Sequence, residues 1–230
     1  MPRRKQEILE AALAIADERG LAAVTMRAVA ERVGVSPMAL YGHVNGKDGL
    51  LDDMVGQLLG GITLPPRDQP WQSRLMALAG EARQLVRRHP GASALLFARP
   101  TVTPDAVRVV DAIYLALLDA GVPPEDIPRV ERLVSTFVLG YAVSEASGRF
   151  AADTVDSRVS RAHGTEDQLS GHAQLVRWLT QPVDWDAEFE ADLAALATLV
   201  AGLARPASEV SAPPGDPGIR APGLVRGGHP

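Results

Sequence analysis

The sequence predicts an all-α protein built from two helical domains. Apolar residues recur at helical spacing, and the stretches that carry them stop at helix-ending residues such as Gly20, Pro90 and Gly121. Aromatic residues make up only 4% of the 230 residues, while aliphatic residues are abundant. No alternating strand pattern or internal repeat is evident. These observations favour a small N-terminal domain of three helices, joined by a fourth helix to a larger helical domain.

Glycine and proline mark the predicted boundaries. Gly60-Gly61 and Pro65-Pro66 separate a first domain, residues 1–62, from a second, residues 68–205. The last 25 residues contain six prolines and five glycines, so 206–230 is predicted to be a disordered tail. Residues 151–167 are polar and are predicted to form a mobile loop. The predicted helices cover 4–19, 26–33, 37–43, a segment from 45 to the boundary, 70–88, 91–98, 104–120, 124–150, 168–180 and 185–204.

A helix-turn-helix is the most specific local pattern. Thr25 is a favourable N-cap, and Gly34 stands where a helix ends in the left-handed conformation. Ser36 then caps a second short helix with Pro37 at its first position, and the small Ala30 allows the two helices to approach closely. This arrangement places a short helix in the major groove of DNA. A capping box is also predicted at the next helix, between Asn45 and Asp48.

Outward-facing residues of this motif are the candidate DNA contacts. An exposed Met38 and Tyr41 need a partner surface, and Met38 and Ala39 suit contact with thymine methyl groups. Arg27 is the candidate for a guanine edge, and helix N-termini attract phosphate. Arg3, Arg4 and Lys5 could add affinity from a flexible arm. The predicted DNA-binding residues are Thr25, Arg27, Ser36, Pro37, Met38, Ala39, Tyr41, His43 and Lys47.

Simpler interpretations of these residues stay open. Thr25 could only cap its helix, His43 could only pack at a turn, and Arg27 could pair with Glu31 one turn on. The net charge of −5 is unusual for a DNA-binding protein. However, residues 1–50 hold seven Lys and Arg against six Asp and Glu, while the remainder is acidic. This asymmetry is compatible with DNA contact at the N-terminal end.

Two stretches carry a resemblance to a known family. LYGHV at 40–44, Lys47 and LLDDMV at 50–55 resemble the DNA-binding domain of the tetracycline-repressor (TetR) family. More weakly, residues 87–126 and FVLGYAVSE at 137–145 resemble the regulatory domain of the tetracycline-repressor subfamily. The resemblance implies DNA-backbone contacts by Tyr41 and His43. Gly42 replaces a bulky aromatic residue found in relatives, so the operator sequence cannot be transferred from them.

The resemblance also implies a homodimer with a small-molecule pocket. A dimer would present two reading helices to half-sites about one helical turn apart. Its interface is expected on the helices at 124–150 and 185–204, with candidates that could equally be core: Leu133, Phe137, Leu139, Leu196, Leu199 and Leu203. Ligand binding would pivot the helix that starts at 45. The predicted ligand-binding residues are Leu75, Ala79, Arg83, Phe97, Tyr114, Phe137, Tyr141 and Glu145, with Arg83 and Glu145 as polar anchors or, alternatively, surface charges.

The residue types in the sequence argue against metal binding, enzymatic catalysis and a membrane span. The chain has no cysteine, and its histidines at 43, 89, 163, 172 and 229 lack metal-ligand spacing, so neither a metal nor another cofactor is expected. Histidines that would hold magnesium–tetracycline in the tetracycline repressor are missing, which indicates a different, more apolar ligand. No nucleophile elbow or phosphate loop is present, so an enzyme is not expected. No apolar run reaches the ~20 residues of a membrane span, and a cytoplasmic protein is expected.

The sequence therefore predicts a ligand-responsive DNA-binding transcriptional regulator. Its expected partners are a double-stranded DNA operator, a small-molecule effector and a second copy of the chain. The resemblance implies a repressor, which the effector releases from a palindromic operator. The alternatives are a ligand-independent or architectural dimeric DNA-binding protein, and a dimeric adaptor whose reading head no longer binds DNA.

Overall fold

The computed structural model describes residues 3–99, 102–149, 170–179 and 181–204, and this part of the chain is helical without strands. A single 3-10 turn, Leu21–Ala23, lies between the first two helices. The helices are α1 (Arg3–Arg19), α2 (Met26–Val33), α3 (Pro37–Leu40), α4 (Gly46–Gly60), α5 (Trp71–Arg88), α6 (Leu95–Ala98), α7 (Pro104–Asp119), α8 (Ile127–Ala146), α9 (Ser170–Leu179) and α10 (Trp185–Gly202). The predicted all-α class is confirmed. The predicted loop at 151–167 and tail at 206–230 lie outside the described residues.

The N-terminal domain packs α1, α2 and α3 around a small aliphatic core. Leu9 of α1, Val29 of α2 and Leu40 of α3 are fully buried in it. Gly34 follows α2 with φ 76° and ψ 37°, the left-handed conformation that lets the chain turn sharply into α3. The predicted corner of the helix-turn-helix is therefore confirmed.

The larger domain is organised around α5, α7 and α8, which pack against one another. Leu117 of α7, Val130 of α8 and Val200 of α10 are fully buried in one of its clusters. A second cluster joins Tyr141 of α8 to Phe189 of α10, with ring centroids 4.8 Å apart. The C-terminal helix α10 is thus part of the core of this domain.

Helix α4 belongs to both domains. Its residues Leu50, Met54 and Leu58 are buried in the same cluster as the core of α1. The helix also lies against the start of α7, since a Cβ at Gly56 would stand 2.6 Å from the Thr103 hydroxyl oxygen. A side chain at position 56 would have to displace the Thr103 side chain, which caps α7.

A second junction joins α1 to the loop between α5 and α6. The Asp17 carboxylate lies 2.8 Å from Nδ1 of His89 and accepts a hydrogen bond of 3.1 Å from the Gly91 amide. Gly91 packs directly on the backbone of α1, because a Cβ there would stand 2.0 Å from the Ala16 carbonyl oxygen. Glycine is required here by the close approach of two backbones.

Five local expectations are wrong, and the first concerns α6, which begins at Leu95 rather than at residue 91. The regular part of α3 ends at Leu40 and residues 41–43 form turns, consistent with the low helix propensity of Gly42. Asn45 makes no side-chain cap. Helix α8 spans Ile127–Ala146 rather than 124–150, with Pro128 in its first turn. The basic residues at 3–5 lie in α1 rather than in an arm, because Arg4 pairs with Glu7 and Lys5 with Asp53, both within 2.8 Å.

Substitution of Gly91 tests the backbone contact between the domains. Gly91→Ala should destabilise the fold by about 1–3 kcal/mol, the usual effect of forcing extra atoms into a packed site. Chemical denaturation at fixed protein concentration measures this change. Gly80→Ala is the matched control, because nothing lies within 4 Å of that added Cβ in α5, and helix propensity predicts a gain of about 0.5–1 kcal/mol. Equal effects of the two substitutions would show that the Gly91 contact is not a close-packed one.

Candidate nucleic-acid interface and cavity

Two hydroxyl caps set the geometry of the helix-turn-helix. The Thr25 hydroxyl oxygen accepts a hydrogen bond of 3.1 Å from the Ala28 amide, and Ser36 accepts one of 3.3 Å from the Ala39 amide. Pro37 occupies the first turn of α3, where no amide hydrogen is needed. The capping roles predicted for Thr25 and Ser36 are confirmed. Their hydroxyl hydrogens stay available to donate to a phosphate.

The outer face of α3 is an exposed apolar and polar surface. Met38 is 77% exposed and Tyr41 is 57% exposed, while Leu40 between them is fully buried. All nine predicted DNA-binding residues lie at exposed positions: Thr25, Arg27, Ser36, Pro37, Met38, Ala39, Tyr41, His43 and Lys47. Such exposure of two neighbouring large apolar side chains, on α3 and in the turn after it, is typical of an interaction surface.

Arg27 is accessible rather than engaged within the domain. In the described part of the chain it forms no ion pair with Glu31, the alternative that the sequence left open. The neighbouring Arg32 instead pairs with Glu18 of α1 through two hydrogen bonds of 2.5 and 2.6 Å. The two arginines of α2 therefore differ, since Arg32 fastens α2 to α1 and Arg27 faces solvent.

A cavity of about 310 Å³ lies among α4, α5, α6, α7 and α8. Its wall is mostly aliphatic and reaches every one of these helices. The apolar lining residues are Val55, Leu59, Ile62, Leu75, Leu78, Ala79, Ala82, Leu96, Phe97, Val109, Val110, Ile113, Val134, Val138 and Leu139. The polar lining residues are Glu131, Arg132, Ser135 and Thr136, all on α8. A volume of this size fits a small organic molecule.

Three of the eight predicted ligand-binding residues line this cavity: Leu75, Ala79 and Phe97. Tyr114 packs beside the cluster of Leu117 and Val130, and Phe137 packs beside Tyr141. Sequence reasoning missed the contributions of α4 and α7 and the polar edge on α8. The inward apolar stripe of α7, with Val109 and Ile113 one turn apart, was the available signal.

Arg83, Tyr141 and Glu145 form a separate ionic cluster. Arg83 donates to both carboxylate oxygens of Glu145 at 2.6 and 2.9 Å, and Arg87 donates to the same carboxylate at 2.7 Å. Arg83 and the Tyr141 hydroxyl also donate to the Trp185 carbonyl at 3.1 and 2.9 Å. The predicted polar anchors therefore hold α5, α8 and the start of α10 together and do not face the cavity.

The cluster perturbs the acidity of its members. Hydrogen bonds from Arg83, followed by those from Arg87, lower the pKa of Glu145 to about 2. The hydrogen bond to Glu145 raises the pKa of Arg83 above its usual value, and burial raises that of Tyr141. The Arg83 guanidinium also lies 4.5 Å from the centre of the Phe189 ring. All three groups keep their charge state at neutral pH and act as fixed structural contacts.

Arg99 connects the cavity wall to the start of α4. It follows α6, whose Leu96 and Phe97 line the cavity. Its guanidinium donates to the backbone carbonyl and the carboxylate of Asp48, both at 2.8 Å, and lies 3.1 Å from the Asp52 carboxylate. Asp48 is thus held by Arg99 and not by the predicted capping box. In the chain, α4 begins directly after His43 and the exposed surface of α3, which we call the reading surface.

A helix-turn-helix carried by a larger helical domain with an internal cavity defines a class of DNA-binding regulators. Residues 8–54 match the family profile described as bacterial regulatory proteins, tetR family. Residues 64–206 match the profile described as Tetracyclin repressor-like, C-terminal domain. The chain belongs to the tetR family and carries this tetracycline repressor-like C-terminal domain.

Individual relatives agree with this assignment. An HTH-type transcriptional regulator of Saccharopolyspora erythraea is 29% identical over 87% of this chain and 84% of its own. The tetracycline repressor protein class A from transposon 1721 of Escherichia coli is 31% identical over 86% of this chain and 89% of its own. The structure of the Streptomyces coelicolor TetR family protein ActR in complex with actinorhodin is 25% identical, with a TM-score of 0.72 over 89% of this chain and all of that chain (100%).

The function expected from the sequence is confirmed at this level. The chain is a ligand-responsive, DNA-binding transcriptional repressor of the tetR family, a family of regulators and not of enzymes. Among the described residues, no helix is both long and apolar enough to cross a membrane. Within the same ranges, no three His, Cys, Asp or Glu side chains are grouped so as to hold a metal ion.

Removal of the Glu145 charge tests the ionic cluster. Glu145→Gln should destabilise the fold by about 1–3 kcal/mol at neutral pH, because the buried Arg83 loses a charged acceptor. The Glu145 pKa is about 2 in the folded state against an ordinary 4.5, so its contribution is complete above about pH 4.5 and is lost as pH falls towards 2. Urea denaturation across this range should show the difference between wild type and variant shrinking. A difference independent of pH, or one matched by the exposed control Glu190→Gln, would contradict this role.

Proposed function

We propose that two copies of this chain bind a palindromic operator and that a small molecule in the cavity releases them. The observation that carries the proposal is the position of α4, which begins beside the reading surface and lines the cavity with Val55 and Leu59. Any ligand that favours one position of α4 over another changes the affinity for DNA. Two similar proteins support an effector of this kind: the tetracycline repressor by its name, and ActR by its structure in complex with actinorhodin.

On DNA, α3 lies in the major groove. Met38 and Ala39 contact thymine methyl groups, and Arg27 reaches a guanine edge at the start of α2. Tyr41 and His43 contact the phosphate backbone, as the family resemblance implies, and Lys47 adds a positive charge at the start of α4 that contacts a further phosphate. Backbone contacts of this kind position the protein, and the few base contacts supply sequence preference. Gly42 leaves this chain with its own operator preference.

Dimerisation doubles the short reading surface. Leu133 of α8 is 42% exposed and Leu199 of α10 is 47% exposed, which fits an apolar face covered by a second copy. Of the other interface candidates, Phe137, Leu196 and Leu203 pack partly within the chain, and Leu139 lines the cavity. The interface we propose therefore centres on Leu133 and Leu199. The ligand-independent alternative is less well supported, because the side chains of the described residues leave this cavity open.

The proposal is tested by fluorescence anisotropy with labelled DNA fragments that flank the coding region. Unlabelled random DNA serves as competitor, and salt is varied. Saturable binding that survives competitor, with two chains per site, is expected. Binding that disappears with competitor or modest salt would leave only nonspecific phosphate attraction, and would favour the adaptor interpretation.

Lys47 should contribute one phosphate contact per chain. Lys47→Gln is expected to weaken binding to all sequences alike and to reduce the slope of log affinity against log salt by about one per chain. The same anisotropy titration, repeated at several salt concentrations, measures both effects. Arg108→Gln on α7 is the control for a lost positive charge, since Arg108 is exposed in the larger domain. An unchanged slope for Lys47→Gln would remove this residue from the interface.

A leucine at position 82 should imitate an occupied cavity. Ala82 lines the cavity and is half-buried, so Ala82→Leu places three carbons in the space of an effector. We expect operator affinity to fall at least about fivefold, the lower end of typical coupling between sites. Ala77→Leu on the exposed face of α5 is the matched control.

The Arg99 contacts should transmit part of this effect. In the double variant Arg99→Gln/Ala82→Leu, the drop in affinity caused by Ala82→Leu should be smaller than in the wild-type background. Equal drops in both backgrounds would show that the Arg99 contacts with α4 carry no coupling.

A further inference from the structure

The cavity has one polar edge. Among the described residues, every polar member of its lining lies on two adjacent turns of α8: Glu131, Arg132, Ser135 and Thr136. The remaining wall, from α4 through α7 and part of α8, is apolar. A molecule that fills this space must therefore present one polar end to α8 and an apolar body to the other helices.

Glu131 is the fixed polar group of this edge. The Ser135 hydroxyl donates to one of its carboxylate oxygens at 2.6 Å, which orients the carboxylate. A carboxylate accepts several hydrogen bonds, so this contact leaves capacity for another donor. In the described part of the chain, Glu131 has no cationic partner within ion-pair distance, in contrast to Glu145, which is held by two arginines.

The neighbouring arginine is placed differently. Arg132 lines the cavity but is exposed, whereas Glu131 and Ser135 are half-buried. Water and salt screen an exposed charge more strongly than a half-buried one. The edge therefore presents a net preference for a hydrogen-bond donor or a cation over an anion.

The rest of the wall indicates the shape of the apolar body. Phe97 is the single aromatic residue of the described cavity lining, and its side chain is 51% exposed. Leucine, valine, isoleucine and alanine form the other apolar contacts. Such a wall packs against a saturated body by dispersion and offers few faces for stacking a planar ring system.

We propose that the effector of this chain is an aliphatic amine, whose saturated body fills the cavity and whose ammonium group binds the Glu131 carboxylate. This inference rests on the proposed role of the cavity as the effector site. Charge-assisted hydrogen bonds of an ammonium to a half-buried carboxylate are among the stronger polar contacts in proteins. Ser135 acts as a positioning residue, because its hydrogen bond holds the Glu131 carboxylate in place at the cavity edge.

Three adamantane derivatives with one compact saturated body are suitable probes. Aminoadamantane, hydroxyadamantane and adamantane carboxylic acid differ only in the polar group, and calorimetry at neutral pH measures their affinities. The amine should bind at least about tenfold more tightly than the acid. Glu131→Gln should lower the affinity for the amine by about tenfold and leave the affinity for the alcohol nearly unchanged. Binding of the alcohol then also shows that the variant is folded.

Two further variants sharpen the test. Glu190→Gln, an exposed carboxylate on α10, should leave amine affinity unchanged. Arg132→Gln should strengthen amine binding, since it removes a repelling charge from the edge. The proposal is overturned if the acid binds as tightly as the amine, if Glu131→Gln does not weaken the amine, or if none of the probes binds.

Failure of the amine proposal can be told apart from failure of the proposed function. Specific operator binding by two chains, without any Glu131-dependent amine binding, would leave the DNA-binding role intact and overturn only the ligand class. Glu131-dependent amine binding without specific operator binding would support the amine site and contradict the proposed function.

Discussion

The shared burial of α4 is the constraint on which the rest of the structure depends. Its apolar residues lie in one continuous core that runs from Leu9 of α1 to Val109 of α7. Burial of each large aliphatic side chain contributes about 1.5–3 kcal/mol, so separating α4 from either domain would cost many such contacts. The helix therefore cannot tilt alone. A change at the cavity has to move α4 together with the head that reads DNA.

Ion pairs connect the helices that surround this core. Arg32 joins α2 to α1, Arg99 joins the end of α6 to α4, and Arg83 joins α5 to α8. The buried Arg74 similarly pairs with Asp119 at the end of α7. In each case a planar guanidinium connects two different helices or their ends. The cavity is lined mainly by aliphatic side chains, and none of these four arginines belongs to its described lining.

The parts that could be predicted from sequence are those fixed by local chemistry. The caps at Thr25 and Ser36 and the left-handed Gly34 depend on neighbours within a few residues, and the structure bears them out. The ionic cluster of Arg83 and Glu145 joins residues 62 positions apart, and only the rotation of α5 against α8 decides that they meet each other and not a ligand. The same rotation brings Glu131 and Ser135 to the cavity. Periodicity identifies an apolar face but not which neighbour it meets.

The first and last turns of α4 make different contacts, and this limits how an effector can shift the helix. Its first turns are held by Arg99 through Asp48 and Asp52, and its last turns line the cavity with Val55 and Leu59. A ligand that bound both positions of α4 equally well would shift neither, however tightly it bound. The response requires contacts that differ between the two positions. An apolar body pressing on Val55, Leu59 and Phe97, with its polar end fixed on α8, supplies that difference, because α8 is anchored to α5 through Arg83 while α4 moves together with the DNA-binding helices.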